Sequence, residues 1–204
     1  MVRGFERSRR PALLISECQR GVIDPLLSSF PGLVEQVQQR GILPRIGVLA
    51  DRFRKAGLPV IHLHVVHKPD YADVPKTSVI IVRSIRDQRM REGMEDVLAV
   101  DEMRPLQDDI VHARGFSLVA FHGTDLDAML RHMGVQTLVL AGVSTNVAIS
   151  GTALCGSDLG YQVLIPEDCI AGASEETHAF IVQNQLPLYS TITDSQTLID
   201  ALND

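Results

Sequence analysis

The amino-acid sequence predicts a single α/β domain in which a parallel sheet carries helices on both faces. Short apolar, β-branched runs, typical of strands buried on both sides, alternate with segments whose apolar residues recur at helical spacing. Such alternation is typical of parallel sheets with right-handed crossover connections. The chain has 204 residues, 45% of them hydrophobic, so we expect one core and one domain over residues 1–204.

The first half of the chain contains two predicted strands with helical sequence between them. The strands are the apolar runs at 12–15 and 58–66. Helical periodicity begins at Pro31, breaks near 41–44 and ends at Gly57, a residue suited to the position just after a helix.

Two segments are predicted to be irregular, a flexible arm at 1–10 and a lid or interface segment at about 67–109. The second is longer than an ordinary connection, and it contains a basic cluster that could bind a substrate carboxylate or form a solvated face or an interface. The cluster consists of Arg83, Arg86, Arg89 and Arg91.

The second half is organised around a strand–turn–helix unit at 137–161. Its apolar run stops at Gly142, and an Asn/Ser/Thr-rich turn opens a helical segment. Such a turn lies at the carboxyl end of a strand, so we expect it to form one wall of a ligand site. The other predicted elements are strand pieces at 110–113 and 118–121, a helix capped by Thr124, a strand at 162–165, a helix at 174–185, a strand at 190–193 and a helix at 194–202.

The charge and the cysteine count limit the function classes. The net charge of -6 argues against nucleic-acid or anionic-membrane partners, which favours a small-molecule ligand or a protein partner. Cys18, Cys155 and Cys169 have no disulfide or metal-ligand spacing, which indicates reduced thiols and a cytoplasmic location. None of the three is a convincing nucleophile, and we expect the carboxylates beside Cys169 to raise its pKa.

Two groups of polar residues follow predicted strands. Glu17 comes directly after the first strand, where a carboxylate is either a general acid or base at the sheet edge or a solvated loop residue. His62 and His64 share one face of the second strand and could bind a metal with His67 and Asp70. Strand histidines are more often hydrogen-bonded core or rim residues, so no metal and no cofactor is predicted.

Four ordered motifs resemble the isochorismatase-like hydrolase family, which includes the cysteine hydrolases. They are ALLISECQ at 12–19, FHGTDLDAML at 121–130, LVLAGVSTNVAISGTA at 138–153 and GYQVLIPEDCIAG at 160–172. The resemblance covers nearly the whole chain. It implies a three-layer α/β/α sandwich with a doubly wound, mostly parallel central sheet, and a homo-oligomer, a dimer or larger.

The family's catalytic triad carries over only in part. The resemblance places its aspartate at Glu17, its lysine near Arg114 or Gly115, and its nucleophilic cysteine at Ala148. Alanine cannot attack a substrate, and arginine keeps a positive charge but does not exchange a proton at neutral pH. Family members also often have a cis peptide bond in this turn, which would fall at Val143–Ser144.

The resemblance leads to a hydrolase without a cysteine nucleophile, acting on an amide or on a vinyl ether such as isochorismate. Glu17 would be the general acid or base, Arg114 would orient it or stabilise negative charge, and amides around 144–148 would bind an oxyanion. The alternatives are an inactive member that binds a small ligand or a protein partner and, less favoured, a metal-assisted hydrolase. The predicted substrate-binding residues are Val143, Ser144, Thr145, Asn146, Val147 and Phe121.

Overall fold

Seven parallel strands form the central layer in a computed structural model of the chain, which describes residue 5 and residues 9–203. Their spatial order is β3-β2-β1-β4-β5-β7, and β6 pairs with β4 further along that strand. Every pairing within the sheet is parallel. The strands are β1 (Arg10–Ser16), β2 (Val60–Val65), β3 (Ile110–Arg114), β4 (Val135–Val143), β5 (Gln162–Pro166), β6 (Ile170–Ala171) and β7 (Thr191–Thr193).

The order of the strands reverses between β1 and β4. From β1 the chain proceeds outward through β2 to β3, then returns to β4 on the other side of β1. In an open parallel sheet, ligands bind at the carboxyl ends of the strands at such a reversal. This places the site that the topology favours after Ser16 and Val143.

Helices cover both faces of this sheet, which confirms the predicted three-layer sandwich. Alternation along β1 sends Leu13 and Ile15 into a core with α3 and α8, and Ala12 and Leu14 into a second core with α5 and α6. The helices are α1 (Arg20–Ile23), α2 (Pro31–Arg40), α3 (Ile42–Lys55), α4 (Val79–Arg86), α5 (Leu126–His132), α6 (Ser150–Asp158), α7 (Glu175–Asn184) and α8 (Ser195–Asn203).

One predicted strand is wrong, the piece at 118–121, which is a turn. Its backbone groups bond to side chains instead of a neighbouring strand: the oxygen of Leu118 accepts from Arg114 Nη2 at 3.2 Å, and the N–H of Ala120 donates to Thr152 Oγ1 at 3.3 Å. The helix expected to be capped by Thr124 begins at Leu126. Strand β6 and helix α4 were not expected.

The structure describes the first predicted irregular segment only in part and the second one throughout. Of the arm at 1–10, residues 1–4 and 6–8 lie outside the described residues, but Phe5 is buried and its ring centroid lies 6.3 Å from that of Phe53. The segment 67–109 contains α4 and two short 3₁₀ turns. No helix in the described part of the chain is long and apolar enough to cross a membrane.

Candidate active site

A buried ion pair lies at the carboxyl ends of β1 and β3. Glu17, the residue after β1, donates its backbone N–H to the oxygen of Leu63 at 2.9 Å, and its carboxylate accepts from Arg114 Nη2. Arg114 ends β3, so its side chain reaches past the end of β2. Its Nε also donates to the oxygen of Ser117 at 2.8 Å. The Arg114 side chain is 2% exposed and that of Glu17 is 15% exposed, so the pair lies almost entirely out of water.

Burial controls the proton affinity of this carboxylate. Burial of Glu17 raises its pKa, and the charge and hydrogen bond of Arg114 lower it by less, so the net direction is upward. A carboxyl group whose pKa approaches the working pH can both take up and release a proton, as general acid–base catalysis requires.

Of Arg114 and Gly115, only one faces Glu17. Gly115 turns its carbonyl oxygen to His67 Nδ1, and a Cβ built at Gly115 would lie 2.2 Å from Asp73 Oδ2. No side chain fits there without a shift of Asp73. Arg114 is therefore the residue that meets Glu17.

The turn after β4 forms the opposite wall. Gly142 has a φ of 98°, and a Cβ there would lie 2.2 Å from the backbone oxygen of Ser16, so only glycine allows β4 to approach β1 this closely. The peptide bond Val143–Ser144 is cis, which confirms the geometry implied by the resemblance. A single π-helical turn, Thr145–Ile149, then leads into α6.

Hydrogen bonds made by side chains of the turn hold it in place. Thr145 Oγ1 lies 2.9 Å from His178 Nδ1, and Asn146 Oδ1 accepts the N–H of Ala173 at 3.0 Å. Burial lowers the pKa of His178 to about 4, so the imidazole is neutral and its ring nitrogen can accept from the threonine hydroxyl. The turn is thereby fastened to α7 and to the segment before it.

A cavity of about 410 Å³ lies between these walls. Five of the predicted site residues line it: Glu17, Arg114, Ser144, Asn146 and Val147. The rest of the wall is mostly apolar, as is usual for small-molecule sites. The further lining residues used below are Phe30, His67, Ile80, Ile81, Arg83 and Met90.

Four predicted site residues do not line this cavity. Val143, Thr145 and Ala148 are at most 1% exposed and lie behind the wall. Phe121 belongs to the turn that replaces the expected strand, and it stacks on Tyr161 with ring centroids 6.0 Å apart, in the second core. Of these four, Phe121 is the one that the fold carries away from the site.

The amides of the turn are only partly free to bind an oxyanion. The N–H groups of Val147 and Ile149 both donate to the oxygen of Ser144, at 3.2 and 3.0 Å. Within the predicted oxyanion site at 144–148, the amide of Val147 is therefore already used inside the turn.

His67 lines the cavity, although the sequence suggested it only as a possible metal ligand. Its Nδ1 pairs with the carbonyl oxygen of Gly115, which can only accept, so Nδ1 carries the proton and Nε2 has the lone pair. Burial lowers the pKa of His67, which leaves the ring neutral. The sequence places His67 just after the predicted second strand, and this position could have identified it as a site residue.

The other candidates for chemistry lie outside the cavity. His62 Nε2 lies 3.2 Å from Asp109 Oδ2, which also accepts from Arg54 Nη2 at 2.7 Å. Among the residues that the structure describes, no group of three or more His, Cys, Asp or Glu side chains is arranged to hold a metal ion. The cysteines are free, and burial raises the pKa of each; it reaches about 12 for Cys18, and Asp168 adds to the rise for Cys169.

Comparison with known proteins gives a consistent result. The model of the isochorismatase domain matches residues 11–197. An uncharacterised isochorismatase family protein of Escherichia coli O157:H7, YecD, is 27% identical over 96% of this chain and 97% of its own. A maleamate amidohydrolase of Pseudomonas putida is 27% identical over 83% of this chain and 76% of its own. The fold is similar to the crystal structure of a cysteine hydrolase from Pseudomonas syringae, with a TM-score of 0.86, 22% identity and coverage of 100% and 97% of the two chains.

Proposed function

Because the chain belongs to the isochorismatase family of hydrolases, we propose that it hydrolyses a small organic molecule in this cavity without a cysteine nucleophile. The observation that supports this most is the pairing of Glu17 with Arg114 in the cavity wall, opposite a turn that has Ala148 at the nucleophile position. Glu17 is then the group that exchanges protons with substrate and water.

For an amide substrate, the Glu17 carboxylate takes a proton from a water molecule as the water oxygen bonds to the carbonyl carbon. Arg114 then has no anionic partner, and its charge stabilises the negative oxygen of the intermediate together with turn amides. Glu17 returns the proton to the leaving nitrogen, the C–N bond breaks, and a carboxylic acid and an amine or ammonia leave. The similarity to a maleamate amidohydrolase supports this reaction class.

For a vinyl ether, Glu17 acts first as an acid and then as a base. Protonated Glu17 gives its proton to the double-bond carbon, and water adds to the resulting oxocarbenium carbon and returns one proton to Glu17. The other water proton passes to the ether oxygen as the C–O bond breaks, which releases an alcohol and a carbonyl compound. The raised pKa of Glu17 is the observation that favours this second reaction.

The decisive experiment is Glu17→Gln, which keeps the shape but cannot exchange a proton. In a turnover screen of small amides and vinyl ethers, we expect the rate to fall about 100-fold or more, the usual worth of an acid–base residue. Glu176→Gln, at an exposed position in α7, is the matched control and should retain full activity. Turnover that survives in Glu17→Gln would remove Glu17 from the mechanism.

An inactive member of the family that only binds a ligand or protein partner is the less supported alternative. It would show saturable ligand binding and no product across the same screen. A further expectation is a cytoplasmic location, which the free state of the described cysteines supports.

A further inference from the structure

Arg83 is a cation in the wall of the cavity, outside the pair that carries the proposed chemistry. It lies on α4, and its Cζ is 5.8 Å from the centroid of the Phe30 ring, which lines the same cavity. Contact with an aromatic face orients a guanidinium while leaving its N–H groups in plane and open to an acceptor.

The charges around the cavity do not balance. Its titratable lining residues are Glu17, His67, Arg83 and Arg114. Glu17 and Arg114 neutralise each other, and burial lowers the pKa of His67, so that ring is neutral. Arg83 is exposed, so water solvates its guanidinium, and within the cavity lining it has no carboxylate partner.

Asp87 follows α4 directly, and its pKa is lowered mainly by the hydrogen bond from Arg86 and to a smaller extent by the charge of Arg83. Asp87 uses both carboxylate oxygens for Arg86, at 2.7 and 3.0 Å. Among the described residues, no carboxylate lies within ion-pair distance of Arg83. An anionic group of a ligand could therefore bind Arg83 without displacing a protein carboxylate from it.

The backbone around Arg83 is fastened at both ends of the helix. Ser78 Oγ accepts the N–H of Ile81 at 3.3 Å at the start of α4, and the Tyr71 hydroxyl donates to the oxygens of Ser84 and Arg89, at 3.2 and 2.8 Å. Arg83 therefore projects from a fixed position, as a recognition residue requires.

We propose that Arg83 binds a carboxylate group of the substrate, so that the substrate is a small monocarboxylate with an apolar body. The inference rests on the proposed function only in taking this cavity as the substrate site. A single guanidinium without a carboxylate partner suits a planar monoanion, which it can hold through two parallel hydrogen bonds. The apolar residues Ile80, Ile81 and Met90 beside it suit the body of such a molecule.

The test is equilibrium binding of two matched pairs of probes, benzoate with benzamide and 3-phenylpropanoate with 3-phenylpropanamide, by titration calorimetry. We expect the protein to bind the better carboxylate about tenfold or more tightly than its amide, because hydrogen bonds to a charged group are stronger than those to a neutral one. Arg83→Gln should abolish this preference, and Arg83→Lys should keep part of it. Arg52→Gln removes the same charge from an exposed position in α3, outside the cavity, and it should bind like the parent protein.

Three results would overturn the assignment. The first is the absence of a carboxylate preference in the parent protein, including no binding of any probe. The second is a preference that survives in Arg83→Gln. The third is an equal loss in Arg83→Gln and Arg52→Gln. Repeating the titrations in Glu17→Gln separates the two proposals. Carboxylate binding that depends on Arg83 without any turnover would support the subsite and not the catalysis. Turnover that requires Glu17 but not Arg83 would support the catalysis and not the subsite.

Discussion

At the scale of single residues, the ion pair between Glu17 and Arg114 makes the chemistry of the cavity depend on pH. Burial raises the pKa of Glu17 and Arg114 lowers it by less, so the two together set the pH at which the carboxyl group changes state. The two candidate reactions need opposite states, the carboxylate for amide hydrolysis and the acid for vinyl-ether cleavage.

The pH–rate profile should therefore identify the reaction. Amide hydrolysis loses activity as pH falls through the pKa of Glu17, and vinyl-ether cleavage loses it as pH rises through that pKa. Arg114→Gln removes the group that lowers the pKa of Glu17, so the Glu17-dependent limb should move to higher pH in either case. A limb that stays in place or moves to lower pH in this variant would show that Arg114 does not tune Glu17.

At the scale of elements, the site depends on how closely β4 approaches β1 and on how α4 is attached. Neither the approach of the strands nor helix α4 could be predicted in full from the sequence, for different reasons. Gly142 was visible as the end of an apolar run, but the contact with the oxygen of Ser16 that requires it joins residues far apart in sequence. Helix α4 was missed because it is only eight residues long and lies inside a segment expected to be irregular, so its helical pattern is too short to stand out.

Gly142→Ala should destabilise the protein severely, and Gly160→Ala provides the matched control. Both glycines have a positive φ, of 98° and 90°, but a Cβ at Gly160 meets nothing within 4 Å. We expect the control to lose about 1–2 kcal/mol of unfolding free energy from backbone strain alone. Gly142→Ala should lose clearly more or fail to fold, because its Cβ collides with backbone. Equal losses in urea unfolding would contradict a role for the close approach.

Tyr71→Phe should loosen α4 without unfolding the domain. The change removes the hydroxyl that bonds to the oxygens of Ser84 and Arg89, at a cost of about 1 kcal/mol. Hydrogen exchange should become faster in the amides of α4, and the amides of α7 in the same sample serve as the internal control. Unchanged exchange in α4 would mean that other contacts hold the helix.

At the scale of the whole molecule, the sandwich could be predicted from the sequence because the hydrophobic period of a strand or a helix can be recognised within a short stretch of residues. The site could be predicted less well, because its geometry depends on contacts between distant residues. Contacts with Glu17 and Asp73 show that Arg114, and not Gly115, faces Glu17. The segment 118–121 is not a strand because its backbone bonds to the side chains of Arg114 and Thr152. His67 followed a predicted strand, but only the fold shows that it shares a cavity with Glu17.

The oligomeric state is the prediction that belongs to this scale. We expect at least a dimer, with a mass of twice 22.4 kDa or more by light scattering coupled to size exclusion. The apolar side chains of Val79 and Val82 are 79% and 48% exposed beside the cavity, as suits a subunit contact. Val82→Glu should reduce the mass if this face is the contact, and a monomeric parent protein would contradict the prediction.

The hydrogen bonds of Arg114 have one more consequence. Two of its three acceptors, the backbone oxygens of Ser117 and Leu118, do not titrate, and only Glu17 does. When Glu17 takes up a proton, the guanidinium keeps two anchors and remains where it is. The cavity can therefore gain one unit of positive charge while its shape is preserved, so an anionic substrate and a proton would each favour the arrival of the other.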